Sequence, residues 1–126
     1  MKLQLSILES FLTIHRFPPN HVIPNQVYKC EFYSISKTDE ELSIVCSSST
    51  QLNSEKAEIG WSCIKVLGPL DFSLTGILAD ISAVLAEAEV SIFAVSTFDT
   101  DYILVKSEKL PDAKEALLAS GYTFDR

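Results

Sequence analysis

The sequence has little of what most small-protein chemistry is built from. Among 126 residues there are two histidines, three cysteines, one tryptophan and one methionine. The cysteines, Cys30, Cys46 and Cys63, are odd in number and none stands at CxxC spacing. That argues against a zinc site or a disulfide framework, and reduced thiols are expected instead. His15 and His21 fit neither a metalloprotease helix nor a zinc knuckle, and no histidine follows Cys63 to activate it. No nucleophile elbow, P-loop or dinucleotide fingerprint occurs. Without a nucleophile, a metal or a base in reach, no enzyme is expected, and no cofactor.

Long hydrophobic runs are lacking too, so no stretch reads as a membrane span. Polar residues interrupt the start, Met1-Lys2-Leu3-Gln4-Leu5-Ser6, and no small-residue cleavage site follows. A cytoplasmic location is the expectation. Positive charge is scarce: 10 basic residues face 17 acidic ones, for a formal net charge of -7. Such a chain repels phosphate backbones and anionic bilayers, which disfavours nucleic acid and membrane as partners. From Val66 to Val105 there is neither lysine nor arginine, while Asp71, Asp80, Glu87, Glu89, Asp99 and Asp101 fall in that stretch.

What is present is apolar and patterned. Apolar residues make up 47% of the chain, enough for a packed core. Trp61 to Leu67 reads as a buried strand. Gly68-Pro69 marks a loop, and Ser73 to Val90 carries Ile77, Leu78, Ile81, Val84, Leu85 and Ala88 at helical spacing, with Asp71 and Ser73 as capping candidates. Ser91 to Thr97 and Tyr102 to Lys106 read as strands around the turn residues Asp99-Thr100. A last helix opens at Leu110-Pro111-Asp112 and ends at Gly121, before a short strand at Tyr122-Thr123-Phe124. This is the ferredoxin-like order, an antiparallel sheet with helices on one face, and the fold class is α+β.

The first half is less regular. Phe11 to Phe17 suits a strand, Val22 to Tyr28 a short helix weakened by Pro24, and Glu31 to Ser36 with Leu42 to Ser47 a hairpin about Lys37-Thr38-Asp39-Glu40. Ser54 to Ile59 reads as another short helix. The order repeats that of the second half in pattern though not in residues. Two half-size units are therefore expected, residues 1-60 and 61-126, each near the lower limit for folding alone.

Two segments carry a resemblance. Gly68-Pro69-Leu70-Asp71-Phe72-Ser73-Leu74-Thr75-Gly76-Ile77-Leu78-Ala79, and the run from Ile92 to Val105 with its Ser96-Thr97-Phe98-Asp99-Thr100-Asp101, resemble the second half of small bacterial proteins that carry two ACT units. The same pattern is similar to the ligand-binding ACT units of the animal CASTOR arginine sensors. The match is strong from Trp61 to Val105; the first half matches only in length and strand order. The resemblance implies two βαββαβ ACT units, edge-to-edge or face-to-face pairing, a homodimer, and a small-molecule site at an interface between units.

The residues agree with it. Backbone N–H groups at a helix start can hold a carboxylate. Ser73 and Thr75 can add hydroxyl donors, Gly76 allows close approach, and Asp101 is placed to take an ammonium with Phe98 as an apolar wall. In the arginine sensors the positions matching Thr97, Phe98 and Asp101, and the loop matching Asp71, Phe72, Ser73, Leu74, Thr75 and Gly76, line the pocket. Leu74 departs, standing where those sensors carry an acidic residue that grips the guanidinium, which favours a smaller or apolar ligand. The expected function is regulation by a bound amino acid. The alternative is a ligand-free interaction or dimerisation module using its sheet edges. Each site residue also has a plainer reading: Ser73 as a cap, Gly76 as close helix–sheet packing, Asp99 and Asp101 as turn residues.

Overall fold

The computed structural model describes residues 3–68 and 76–125. Its strands are β1 (Gln4–Ile7), β2 (Leu12–Phe17), β3 (Ser34–Lys37), β4 (Leu42–Ser47), β5 (Lys56–Val66), β6 (Ile92–Ser96), β7 (Asp101–Lys106) and β8 (Thr123–Phe124). Two α-helices are described, α1 (Ile77–Glu87) and α2 (Leu110–Ala119). The chain forms two compact units, one of Met1–Glu9 with Ser62–Arg126, the other of Ser10–Trp61.

In the first of these, β8 lies parallel to β1, β1 antiparallel to β5, β5 beside β7, and β7 antiparallel to β6. Leaving β1 aside, the order along the chain is βαββαβ, the ferredoxin-like arrangement expected. Alternation along the strands turns Leu5, Ile64, Val66, Ile103 and Val105 to one face, where Ile81 and Leu85 of α1 and Ala113 and Leu117 of α2 close over them. Both helices bury an i, i+4 pair on that face, as amphipathic helices over a sheet must. Cys63 and Leu104 face the other way and are also fully buried, so the centre of the opposite face is not solvated.

Strand β1 was missed in the sequence reading, although Leu3, Leu5 and Ile7 alternate with polar residues. It occupies the place between β5 and β8, with Leu5 opposite Val66 on one side and Phe124 on the other.

Both helices end in the same hydrogen-bonded turn. In α1 the Val90 N–H donates to Leu85 O at 2.9 Å, and in α2 the Tyr122 N–H donates to Leu117 O at 3.1 Å. Each bond spans five residues, and each brings together two buried side chains, Val90 with Leu85 and Tyr122 with Leu117, as the Schellman motif does. The motif needs a left-handed residue. Gly121 supplies it after α2, at φ 101°, but after α1 that position is Glu89, at φ 62°.

In Ser10–Trp61, β3 pairs with β4, β4 with β2, and β2 with the Lys56–Trp61 part of β5. The core on one face holds Phe17, Val27, Leu42, Ile44 and Cys46. The hairpin around residues 38–41 is where the sequence puts it. The helix expected over Val22 to Tyr28 shrinks to a five-residue 3-10 turn, Asn25–Lys29, beginning after Pro24. Proline there fixes φ and donates no hydrogen bond, which leaves room for only one short turn.

The helix expected over Ser54 to Ile59 is wrong. From Lys56 onward those residues are in β5, although Glu55, Lys56, Ala57 and Glu58 all favour helix by propensity. Pairing with β2 (His15 opposite Ala57, Arg16 opposite Lys56) overrides that preference. A bulge lets the strand continue: the register shifts between Leu12 and Ile14, and Gly60 takes φ +79°.

Candidate functional site

Of the nine residues singled out from sequence, four are described: Gly76, Thr97, Phe98 and Asp101. Asp71, Phe72, Ser73, Leu74 and Thr75 lie outside the described residues. Helix α1 begins at Ile77 with Gly76 as its N-cap, while the capping candidates Asp71 and Ser73 lie outside the described residues. Gly76 accepts the Asp80 N–H at 2.8 Å and has a left-handed backbone, φ +82°. A Cβ built there would meet nothing within 4 Å. Among the described residues, then, glycine is there for its backbone conformation and not for close helix–sheet packing.

The β6–β7 hairpin presents the other three. Its turn is held by the Thr97 N–H donating to Thr100 O at 2.8 Å, and by the Thr97 hydroxyl, which accepts the Thr100 N–H at 3.3 Å. Thr100 is buried, and its hydroxyl donates to Val66 O at 2.5 Å, tying the turn to the end of β5. At the next residue, Leu67, the loop toward α1 begins. The hairpin tip and the start of that loop thus lie at one end of the sheet. Sequence reasoning missed Thr100 as a positioning residue, because a threonine in a turn gives no sign of a long-range acceptor.

Asp101 is not a turn residue but the first residue of β7, facing Ser96 across the hairpin. The Ser96 hydroxyl donates to Asp101 Oδ1 at 2.6 Å. This serine was also missed, though the register of a short hairpin would have placed it opposite. Asp101 shares parity with Ile103 and Val105, so it points to the helix-bearing face. Lys65 is held elsewhere, its Nζ 5.9 Å from the centre of the Tyr102 ring, and Tyr102 has the opposite parity. A half-buried carboxylate with one oxygen oriented by a serine keeps acceptor capacity for a cation. Beside it at the hairpin tip Phe98 is 79% exposed.

Asp80 has another role. The Tyr122 hydroxyl donates to its Oδ2, and burial, then this bond, pushes the Tyr122 phenol up from its ordinary pKa. The bond joins the first turn of α1 to the segment following α2.

The two fully buried thiols are not poised nucleophiles. Burial pushes the Cys46 thiol up to about 11 and the Cys63 thiol up to about 12, so both stay protonated at neutral pH. The His15 Nδ1 lies 2.9 Å from the Ser54 hydroxyl, while its buried Nε2 has no hydrogen-bond partner among the described residues. Burial lowers its pKa from 6.5. Among the described residues no group of three or more His, Cys, Asp or Glu could hold a metal ion, and no helix is long and apolar enough to cross a membrane.

Comparison with known proteins adds to the geometry. A family model described as ACT domain matches residues 56–119, and a second, described as an N-terminal domain, matches residues 11–50. The human cytosolic arginine sensor for mTORC1 subunit 1 is 33% identical over 95 residues, which are 68% of this chain and 29% of that protein. The chain thus spans under a third of the length of the curated relatives it matches first. Among solved structures, the Agrobacterium tumefaciens protein Atu0741 is 35% identical with a TM-score of 0.91, covering 98% of this chain and 92% of that one. The regulatory subunit of aspartate kinase from Thermus thermophilus shares the fold, with a TM-score of 0.69 at 8% identity over 96% of this chain and 99% of that one.

Proposed function

The chain belongs to the ACT-domain family, and from that premise we propose that it is a regulatory protein that binds an amino acid and catalyses nothing itself. The carboxylate of the ligand is held by the loop 71–76 ahead of α1, and its ammonium by Asp101, with Thr97 and Phe98 completing the wall. The observation that carries this reading is Asp101 itself. It is set by Ser96 on the helix-bearing face, at the sheet end where the loop to α1 begins, in a stretch without a basic residue. The arginine sensor among the relatives supports an amino acid as the ligand class. Leu74, standing where the arginine sensors have an acidic residue, points to a smaller or apolar side chain. Two copies associate as a homodimer, which fits an ACT protein whose site is completed at an interface between ACT units.

A thermal-shift screen against the common amino acids tests it. A ligand at a hundredfold excess over its dissociation constant adds about 2.7 kcal/mol of apparent stability. One amino acid is expected to raise the melting temperature, and Asp101→Asn to abolish the rise while leaving the ligand-free melting temperature close to wild type. No shift with any amino acid would sink the reading in favour of a ligand-free interaction module. A shift that survives in Asp101→Asn would overturn the pose.

A further inference from the structure

Between β4 and β5, where a ferredoxin-like unit carries its second helix, residues 48–55 run without regular structure. They lie on the face of Ser10–Trp61 that holds Phe17, Ile44 and Cys46, and Leu52 packs on that core. Side chains stitch the segment down. The Ser48 hydroxyl lies 2.8 Å from that of Thr13, the Thr50 hydroxyl 3.2 Å from Cys30 Sγ, and the Ser54 hydroxyl 2.9 Å from His15 Nδ1. Backbone bonds hold both ends: the Ser48 N–H donates to Phe11 O at 2.9 Å and the Glu55 N–H to Arg16 O at 3.0 Å. Of the three anchors on the sheet side, His15 is the one that titrates near neutral pH. It is only 5% exposed, between Thr13 and Phe17 on that face and opposite Ile44 and Ala57. Ser54 is its hydrogen-bond partner, and its buried Nε2 has none among the described residues. A neutral imidazole offers one donor and one acceptor, an imidazolium two donors. An imidazolium here would therefore leave a buried N–H unpaired and a buried charge unmatched, and both are costly.

We propose that residues 48–55 are a strap held shut by neutral His15 and released when its imidazole takes up a proton. The charge-bearing groups on the surrounding elements do not offset that proton. Arg16 and Glu55 pair with each other, and Arg16 alternates to the face away from His15. Lys56 and Glu58 of β5 stand opposite Arg16 and Ile14, on that same other face, and both are exposed. The 3-10 turn brings only Lys29, which is exposed, and Cys30, engaged by Thr50; β4 brings the Cys46 thiol, which stays protonated. His21, exposed, stacks on Phe17 with 4.6 Å between ring centres. Burial is what lowers the His15 pKa from 6.5. The open strap lets water reach the ring, so the open form binds the proton more tightly than the closed one. The closed strap is accordingly at full stability above pH 6.5 and loses it as the pH falls, until His15 protonates in the closed form too. Opening uncovers the apolar face of Phe17 and Ile44 on which Leu52 packs. The device needs no ligand and stands apart from the Asp101 site.

Hydrogen exchange of the full chain, followed by NMR from about pH 7.5 down to about pH 5 and expressed as protection relative to the unstructured chain, tests it. Protection of the Ser48 and Glu55 amides is expected to be level above pH 6.5. Below it, the loss approaches about tenfold per pH unit while only the open form carries the proton. Throughout the range the strap amides are expected to be less protected than those of β4, because the strap opens without the sheet. His15→Gln, which keeps a polar side chain but cannot take the charge, is expected to make strap protection independent of pH. The proposal is overturned if the wild-type strap shows no pH dependence, if the loss persists in His15→Gln, or if strap and β4 amides exchange as one unit. Should the variant not fold, the wild-type His15 ring signals decide. A midpoint below 6.5 that coincides with the end of the loss supports the strap, and a midpoint at or above 6.5 overturns it.

Discussion

Glu89 and His15 each occupy a position that costs stability, and each cost has a measurable sign. Glu89 holds a left-handed backbone that a side chain disfavours by about 1 kcal/mol, at the negative end of the α1 dipole. The matching position after α2 is Gly121. Glu89→Gly is therefore expected to stabilise the protein by about 1 kcal/mol, read as a shifted urea midpoint at unchanged slope. For His15, burial depresses the folded-state pKa below 6.5. As the pH falls through 6.5 the unfolded chain takes up the proton first, so stability is full above that value and declines below it until the folded form also protonates. Urea melts on either side of pH 6.5 are expected to show this loss in the wild type and a smaller one in His15→Gln. Equal slopes for the two proteins would show that His15 does not carry the effect.

At the scale of elements, two strands do more than their sequences announce. Strand β1 has only four residues, yet it pairs with β5 on one side and β8 on the other, and its Leu5 is fully buried among Ile64, Val66 and Tyr122. Leu5→Ala is expected to cost roughly 2–5 kcal/mol, as buried leucine truncations do, with the largest rise in hydrogen exchange at β8 and at the β1-facing residues of β5. A loss under about 1 kcal/mol would mean that β1 is peripheral to this core. Strand β5 shows why local propensity misleads. A Glu-Lys-Ala-Glu run is good helix by itself, and only the partner strand β2, with Gly60 at the bulge, makes it extended.

At the scale of the whole molecule, apolar side chains remain at the surface, Phe98 at 79% exposure, Val22 at 82% and Ile59 at 70%. The proposed homodimer is expected to show twice the monomer mass in light scattering at micromolar concentration. A monomer under those conditions would remove the dimer from the proposed function.

The α+β class and the βαββαβ order of the second half were legible in the sequence, because periodicity, the Pro111 helix start and the Gly121 stop are local signals. So was the β6–β7 hairpin that carries Thr97, Phe98 and Asp101, since its two apolar strands flank turn residues. Tertiary structure alone decided that Lys56 to Ile59 is strand, that the N-terminal strand pairs between β5 and β8, that Ser96 orients Asp101, and that Thr100 ties the turn to Val66. The reason is common to all four. Each is fixed by a partner distant in sequence or across a hairpin, and the free energy of strand pairing and of a buried hydrogen bond belongs to the pair, so neither member announces it alone.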